Sequence, residues 1–193
     1  MEKNQVALIE ALALLRKQDG TEGGGAQGLN VGLAIVGSGV LEATLRARID
    51  SLGLSGHVAL LGQMDNPFPV LGGADLFVLP SLHEGQPVTL LEAMTLGTGV
   101  VASDLPGNRE LIDLGYGVLS GTSPQDIAQA IRSALADPRL AHGAFDVTEH
   151  NARSLRDTLE AVLGPEALHQ QPQGKTASKR RRRKRAASRG KPA

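Results

Sequence analysis

The stretch Leu79–Asp104, LPSLHEGQPVTLLEAMTLGTGVVASD, carries the main fold signal of this 193-residue chain. It contains the end of an apolar strand, a polar loop, a helix and a second apolar strand. Pro87 stands where the first helical turn favours proline, and Gly97 closes the helix. A helix between two short apolar strands predicts a parallel, right-handed crossover, because parallel strands need a long connection.

The same alternation extends in both directions from this stretch. Residues 4–18 predict an amphipathic helix, because Val6, Ile9 and Leu12 recur at helical spacing. The apolar run Leu33–Val36 predicts a buried parallel strand. Further helices are predicted at 41–53, 67–71, 107–113 and 123–137, a weaker one at 151–163, and strands at 57–61, 75–79, 99–102 and 117–119. This order predicts an α/β fold, a Rossmann-like parallel sheet flanked by helices.

Charge separates an acidic body from a basic tail. Residues 175–193 hold 10 of the 20 Lys and Arg and none of the 20 Asp and Glu, so residues 1–174 carry 10 basic against 20 acidic side chains. From Pro165 the composition turns to Gln, Pro, Lys and Arg, which predicts disorder. We therefore expect a folded domain at 1–164 and a disordered basic tail at 165–193. An acidic body argues against nucleic-acid binding by the folded domain.

The composition also excludes several kinds of chemistry. The chain has no cysteine, which rules out disulfides, thiolate nucleophiles and cysteine-based metal sites. No apolar run follows the charged first residues, so no signal peptide is expected. No stretch reaches the roughly 18–20 apolar residues of a membrane helix. These features favour a cytoplasmic protein, with peripheral membrane attachment as an open alternative.

The polar groups that could bind a ligand fall in loops after predicted strands, where such sheets hold their ligands. Glu84 lies in the loop before the helix, and Glu92 lies on the helix eight positions later. Free N–H groups and the dipole at the helix start favour a phosphate, and Gly85 allows close backbone approach. A carboxylate beside a diphosphate is suited to accepting hydrogen bonds from sugar or ribose hydroxyls.

These residues strongly resemble family-4 glycosyltransferases of the two-Rossmann-domain (GT-B) architecture. The resemblance rests on the Glu–seven–Glu spacing of Glu84 and Glu92 within PSLHEGQPVTLLEAMTLGTGVVASDLPGNREL. It is supported by the upstream IVGSGVLEATLRARIDSLGLSGHVALLGQM and by the N-terminal EKNQ. It covers about residues 2–137. The resemblance implies the C-terminal, nucleotide-sugar-binding domain of a retaining hexosyltransferase, without its first strand and without the acceptor-side domain.

The same resemblance implies roles for individual residues. Glu84 and Lys3 would be the catalytic pair: Glu84 contacts donor-sugar hydroxyls, and Lys3 matches the lysine of a diphosphate clamp. Glu92 would bind the ribose. The other donor-binding residues would be Gly85, Gln86, Pro87, Val88 and Thr89 near the sugar and diphosphate, Gly37 and Gly39 in a glycine loop, and Gly62 and Met64 near the base. Cationic side chains would do the work of a metal, so neither a metal nor a cofactor is expected beside the nucleotide-diphosphate sugar.

Two departures from the family pattern affect these expectations. The clamp arginine, which lies several residues before the lysine, is absent. Gly99 stands where the family usually has proline, which is expected to loosen the connection between helix and strand. Two alternatives therefore stay open beside a truncated or half enzyme. One is a catalytically inactive or partner-dependent nucleotide-sugar-binding module that pairs with a separate acceptor domain. The other is an interaction protein whose tail, KRRRRKR at 179–185, binds nucleic acid or acidic lipid.

Overall fold

The computed structural model describes residues 3–17, 29–113 and 117–137, together with Leu140 and Arg153. The chain divides into two compact units, Met1–Val147 and Thr148–Ala193. In the second unit only Arg153 is described, as an exposed helical residue. The rest of the helix predicted at 151–163, and the predicted start of the tail at residue 165, lie outside the described residues.

Helices and strands alternate through the described part of the first unit. In chain order they are α1 Gln5–Arg16, β1 Leu33–Val36, α2 Glu42–Ser51, β2 Val58–Gly62, α3 Phe68–Gly72, β3 Leu76–Leu79, α4 Val88–Thr95, β4 Gly99–Ser103, α5 Pro106–Leu111, β5 Gly117–Ser120 and α6 Pro124–Ala136. Each corresponds to a predicted element with small differences at the ends. The predicted alternation of strands and helices is therefore confirmed.

The five strands pair in parallel throughout, but they form two sheets. One sheet has the order β1-β2 and the other has the order β3-β4-β5. Their registers align Leu33 with Val58 in the first sheet and Leu76 with Gly99 in the second. Within the described ranges no backbone ladder joins the two sheets. The α/β fold with parallel strands and flanking helices is confirmed, while a single continuous sheet is not observed.

Helix α1 connects the two sheets through its side chains. Ala11 and Leu15 belong to a buried cluster with α6 and Val101 of β4. Ile9 and Leu12 belong to a second cluster with α2, against which β1 and β2 pack. A third cluster forms between α4, β3 and β4, with Leu90 completely buried. Burying the apolar faces of one helix in two clusters holds both sheets against the same element.

The contacts at the two ends of α1 establish the direction of the strands. At its start, Asn4 Nδ2 donates to the carbonyl oxygen of Thr122 at 2.9 Å, just beyond the end of β5. At its end, Arg16 Nη1 donates to the carbonyl oxygen of Val31 at 2.5 Å, just before β1. Strands in both sheets therefore run opposite to α1. Their carboxyl ends all lie toward the end of the domain at which α1 begins.

The expectation that Leu33–Val36 is a buried strand is wrong for one face of the strand, which is exposed. Leu33 and Ile35 are partly buried, whereas Ala34 is exposed and the side chain of Val36 is 39% exposed. β2 alternates in the same way. The physical reason is that α1 and α2 cover one face of this small sheet, and no described element covers the other. An apolar run alone cannot reveal how many of its faces are covered.

The connection from α4 to β4 is tight. Gly97 adopts φ +77°, its N–H donates to the carbonyl of Met94, and the N–H of Thr98 donates to that of Ala93. This pair of bonds is a Schellman ending, for which glycine is favoured. Gly99 follows in a buried position where an added Cβ would lie 2.3 Å from the carbonyl oxygen of Leu140. This close approach leaves no room for a larger residue, and the expected loosening at Gly99 stays a prediction.

Candidate functional site

Lys3 and Glu84 are 81 positions apart in the chain and form an ion pair in the fold. Lys3 Nζ lies 2.5 Å from Glu84 Oε1. The Lys3 side chain is 56% exposed, whereas the Glu84 side chain is 10% exposed. Lys3 precedes α1, and Glu84 lies in the loop after β3. The pair therefore belongs to the end of the domain that holds the carboxyl ends of the strands, where the sequence predicts the site.

Ser81 is a second donor to the same carboxylate oxygen. Its hydroxyl lies 2.7 Å from Glu84 Oε1, and Ser81 itself is completely buried. Burial would raise the pKa of Glu84. The hydrogen bonds from Lys3 and Ser81, together with the charge of Lys3, outweigh burial and hold the pKa of Glu84 below its ordinary value of 4.5. The group is thus an ionised acceptor at neutral pH.

The loop after Glu84 leads into α4 and presents free backbone donors. Pro87 is buried and precedes the first helical residue, and no side chain caps the helix. Gly85, Gln86, Val88 and Thr89 are all exposed. The N–H groups of Gln86 and Thr89 find no acceptor within the described part of the chain. Unpaired N–H groups at a helix start can receive an anion.

Glu92 lies in the second turn of α4 and is half-buried. No hydrogen bond or ion pair of its carboxylate is seen with the described residues. Its backbone carbonyl accepts from the N–H of Leu96 at 3.1 Å as the helix ends. Its side chain is therefore available to a ligand, but it is not joined to the pair of Lys3 and Glu84.

The two predicted glycine turns meet at the carboxyl ends of β1 and β2. The N–H of Gly37 donates to the carbonyl oxygen of Gly62 at 2.7 Å. Gly37 adopts φ +120° and Gly62 adopts φ +68°, conformations that favour glycine. Gly39 is exposed, and Met64 is half-buried. The fold therefore brings these two turns together, and it separately brings together Lys3 and Glu84. Among the described residues, no hydrogen bond joins the turns to the ion pair.

Ser81 was not among the residues singled out from the sequence. A small hydroxyl residue three positions before a carboxylate in a loop is a pattern that permits a local side-chain bond. The pattern is common, however, and its meaning depends on whether the serine is buried. Here Ser81 is fully enclosed beneath the loop, so its hydroxyl has a fixed direction toward Glu84.

A cavity of about 440 Å³ lies elsewhere, along α1 and the turn between α2 and β2. Its charged lining residues are Glu10, Arg16, Lys17 and Arg48, and none of the predicted site residues lines it. Arg48 is paired with Glu10 at 2.6 Å. Arg16 and Lys17 stand at the end of α1, where cations complement the helix dipole. These interactions explain the basic side chains that line the cavity by their contribution to the fold, without a ligand.

The described ranges contain no cluster of three or more His, Asp or Glu side chains that could hold a metal ion. No helix within them is long and apolar enough to cross a membrane.

Parallel strands that alternate with helices, with their carboxyl ends at one end of the domain, place this domain in the Rossmann-like α/β class. The chain belongs to the family of glycosyl transferases group 1, whose model matches residues 1–146. It is 36% identical over 147 residues to the amylovoran biosynthesis glycosyltransferase AmsK of Erwinia amylovora, covering 72% of this chain and 33% of that protein. An uncharacterized glycosyltransferase of Methanocaldococcus jannaschii, MJ1059, is 40% identical over 84 residues, or 43% of this chain and 21% of that protein.

Solved structures of other proteins share the fold. The Anabaena protein Alr3699/HepE in complex with UDP-glucose is 27% identical, with a TM-score of 0.62 over 83% of this chain and 46% of that chain. WaaG, a glycosyltransferase involved in lipopolysaccharide biosynthesis, is 25% identical, with a TM-score of 0.61 over 86% of this chain and 42% of that chain. The present chain thus spans less than half the length of these relatives, and it shares its GT-B type, Rossmann-like fold with the two solved structures.

Proposed function

We propose that this chain is the nucleotide-sugar-binding part of a retaining, family-4 type glycosyltransferase. It would act in the transfer of a hexose-type sugar from a nucleotide-diphosphate donor to an acceptor. The observation that carries the proposal is the contact of Lys3 with Glu84 at the carboxyl ends of the strands. Membership of a glycosyltransferase family supports it.

The charges of the pair fit the two ends of a donor molecule. Departure of a nucleoside diphosphate builds negative charge on the leaving oxygens and positive charge on the sugar ring. The Lys3 ammonium and the free N–H groups at the start of α4 would stabilise the diphosphate. The Glu84 carboxylate, ionised because its pKa is lowered, would accept hydrogen bonds from sugar hydroxyls. Glu92, which has no partner among the described residues, would accept from the ribose.

The structure adds a requirement to this proposal. Lys3 and Glu84 neutralise each other at 2.5 Å, so a donor must bind them as a pair. An ammonium has three donors and can hold Glu84 and a phosphate oxygen together. Among the described residues, the bonds from Lys3 and Ser81 both go to Oε1 of Glu84, which leaves Oε2 for a sugar hydroxyl. The pair is thus compatible with a bound donor without complete separation.

Binding measurements test the proposal directly. Calorimetric titration of the chain with UDP-glucose, GDP and ADP sugars and UDP alone gives the donor class, and UDP-glucose comes first because HepE binds it. Glu84→Gln is expected to weaken binding of the sugar nucleotide about tenfold while leaving UDP affinity nearly unchanged, the loss of about one charged hydrogen bond. Lys3→Met is expected to weaken binding of both ligands.

Glu10→Gln is the matched control for these variants. It also removes one carboxylate from an ion pair between distant elements, with Arg48, but it lies away from the carboxyl ends of the strands. Its donor affinity should equal that of the parent chain. If every sugar nucleotide gives no heat and no thermal shift, or if Glu10→Gln weakens binding as much as Glu84→Gln, the proposed site is wrong.

A transfer assay separates the enzyme from a binding module. The assay compares the chain alone with the chain mixed with a candidate acceptor-side domain, and NMR of the product gives its anomeric configuration. A half enzyme is expected to transfer sugar only in the mixture and with retention. A module that binds donors but never transfers them would support the catalytically inactive alternative.

A further inference from the structure

Three completely buried polar side chains form a chain of hydrogen bonds beneath Glu84. Asn108 Nδ2 donates to the carbonyl oxygen of Ser103 at 2.8 Å, and Ser103 Oγ donates to the carbonyl oxygen of Ser81 at 2.6 Å. Ser81 Oγ then donates to Glu84 Oε1 at 2.7 Å. Ser81, Ser103 and Asn108 all have 0% exposure. The path links α5 and the end of β4 to the loop after β3.

Helix α5 also contacts the loop on the far side of Glu84. An added Cβ at Gly107 would lie 2.9 Å from the carbonyl oxygen of Gly85 and 3.5 Å from Pro87 Cδ. The first turn of α5 therefore touches the backbone that follows Glu84, while Asn108 binds the end of β4, where Ser103 in turn binds the backbone that precedes Glu84. Adjacent residues of one helical turn thus contact the loop directly on one side and through Ser103 on the other.

These polar groups do not favour stability over apolar packing. Burying a hydroxyl or an amide costs free energy that its hydrogen bonds must first offset, so apolar groups of the same shape can stabilise the fold equally well. Asn108 also buries Oδ1, which has no partner among the described residues. Directional bonds, however, restrict a loop to one geometry in a way that apolar contacts do not. The arrangement is thus suited to orienting Glu84 and poorly suited to maximising stability.

We propose that Asn108 is a positioning residue for Glu84, acting through Ser103 and Ser81. Asn108 fixes the end of β4, Ser103 fixes the Ser81 carbonyl, and Ser81 directs one carboxylate oxygen so that the other faces the donor. The inference rests on the proposed role of Glu84 in binding donor-sugar hydroxyls. It extends that role to residues that touch neither the sugar nor the diphosphate.

The test uses Ser103→Ala, which removes a single hydroxyl, and Asn108→Leu, which keeps the number and branching of the side-chain heavy atoms. The first measurement is the ratio of UDP to UDP-glucose dissociation constants, because that ratio isolates the contribution of the sugar. Both variants are expected to lower the ratio about threefold to tenfold, as for the loss of one hydrogen bond, with UDP affinity unchanged. In a Glu84→Gln background neither variant should lower the ratio further, because both act through Glu84.

Thr98→Val is the matched control. It removes a buried hydroxyl that donates to the carbonyl oxygen of Leu71 at 2.9 Å, at the opposite end of β4. It should lower the melting temperature as Ser103→Ala does but leave the ratio unchanged. An unchanged ratio in Ser103→Ala and Asn108→Leu, with lowered melting temperatures alone, would show a structural role and overturn the proposal.

A second measurement does not depend on donor binding. The ¹³C-detected titration of the Glu84 carboxyl group reports its contact with Ser81, because that hydrogen bond helps to lower its pKa. Ser103→Ala is expected to raise this pKa toward that of Ser81→Ala, and Thr98→Val to leave it unchanged. If the chain binds no sugar nucleotide, the proposed function fails but this titration still decides whether Ser103 positions Glu84. If the pKa of Glu84 is unaltered in Ser103→Ala but raised in Ser81→Ala, then Ser103 does not position Glu84 and the proposal is refuted.

Discussion

Lys3→Met and Glu84→Gln, made singly and together, measure the free energy of the ion pair at the candidate site. The Lys3 side chain is 56% exposed, so solvent screens the pair even though Glu84 is 10% exposed. Exposed pairs contribute about 0.2–1 kcal/mol to the free energy of unfolding. The contact of 2.5 Å and the second donor, Ser81, favour the upper part of that range. We therefore expect a coupling free energy of about 0.5–1 kcal/mol at pH 7.

The coupling should depend on pH in one direction. The pKa of Glu84 in the folded chain lies below its ordinary value of 4.5, so the ionised form of Glu84 is more stable in the folded state than in the unfolded state. Its stabilising contribution is fully present above the ordinary pKa and is lost as the pH falls through the lowered one. Neutralising Glu84 by protonation should therefore reduce the coupling with Lys3 toward zero in acid.

Urea unfolding of the parent chain and the three variants at pH 7, and at several values below 4.5, provides the measurement. The pair Glu42 and Arg46, one helical turn apart and exposed by 49% and 61%, is the benchmark. It should give about 0.3–0.5 kcal/mol. A coupling of zero between Lys3 and Glu84 at pH 7, or one that does not fall in acid, would refute the electrostatic account of the site.

Two further changes test packing and capping by chemical denaturation. Gly99→Ala should destabilise the chain by about 1–3 kcal/mol, because its Cβ would lie 2.3 Å from the carbonyl oxygen of Leu140. Gly72→Ala, whose Cβ would meet Leu96 side-chain atoms at an ordinary 3.8 Å, should be neutral or stabilising. Equal effects would contradict the packing argument. Ser123→Ala should cost about 1 kcal/mol, because Ser123 Oγ accepts the Asp126 N–H at 3.1 Å and caps α6, whereas Ser123→Thr should cost much less.

The order of the elements could be predicted because its signals are local. A glycine with a left-handed conformation ends α4 at the position that the sequence indicates, and Ser123, the first residue of the helix predicted at 123–137, caps α6. The family motif also placed Lys3 and Glu84 in one site, and the fold brings them into contact. The assignment of donor-binding roles to these residues stays a prediction, since it concerns a ligand and not the fold.

Other features depended on contacts that no local pattern contains. The exposed face of β1 follows from which helices cover the small sheet, and the run Leu33–Val36 is equally apolar on both faces. The need for glycine at Gly99 follows from the approach of Leu140, 41 positions later. The support of Glu84 by Ser103 and Asn108 could likewise not be predicted from the sequence, because serine and asparagine are ordinary loop residues unless they are buried.

The amino-acid sequence by itself determined the alternation of strands and helices and the family motif, since these depend on residues within a few positions of one another. The tertiary structure alone decided which faces are covered, which glycine has a carbonyl beside it and which hydrogen bonds support the carboxylate. Those properties arise when segments separated by tens of residues pack together. Burial and hydrogen-bond direction are then set jointly by several elements.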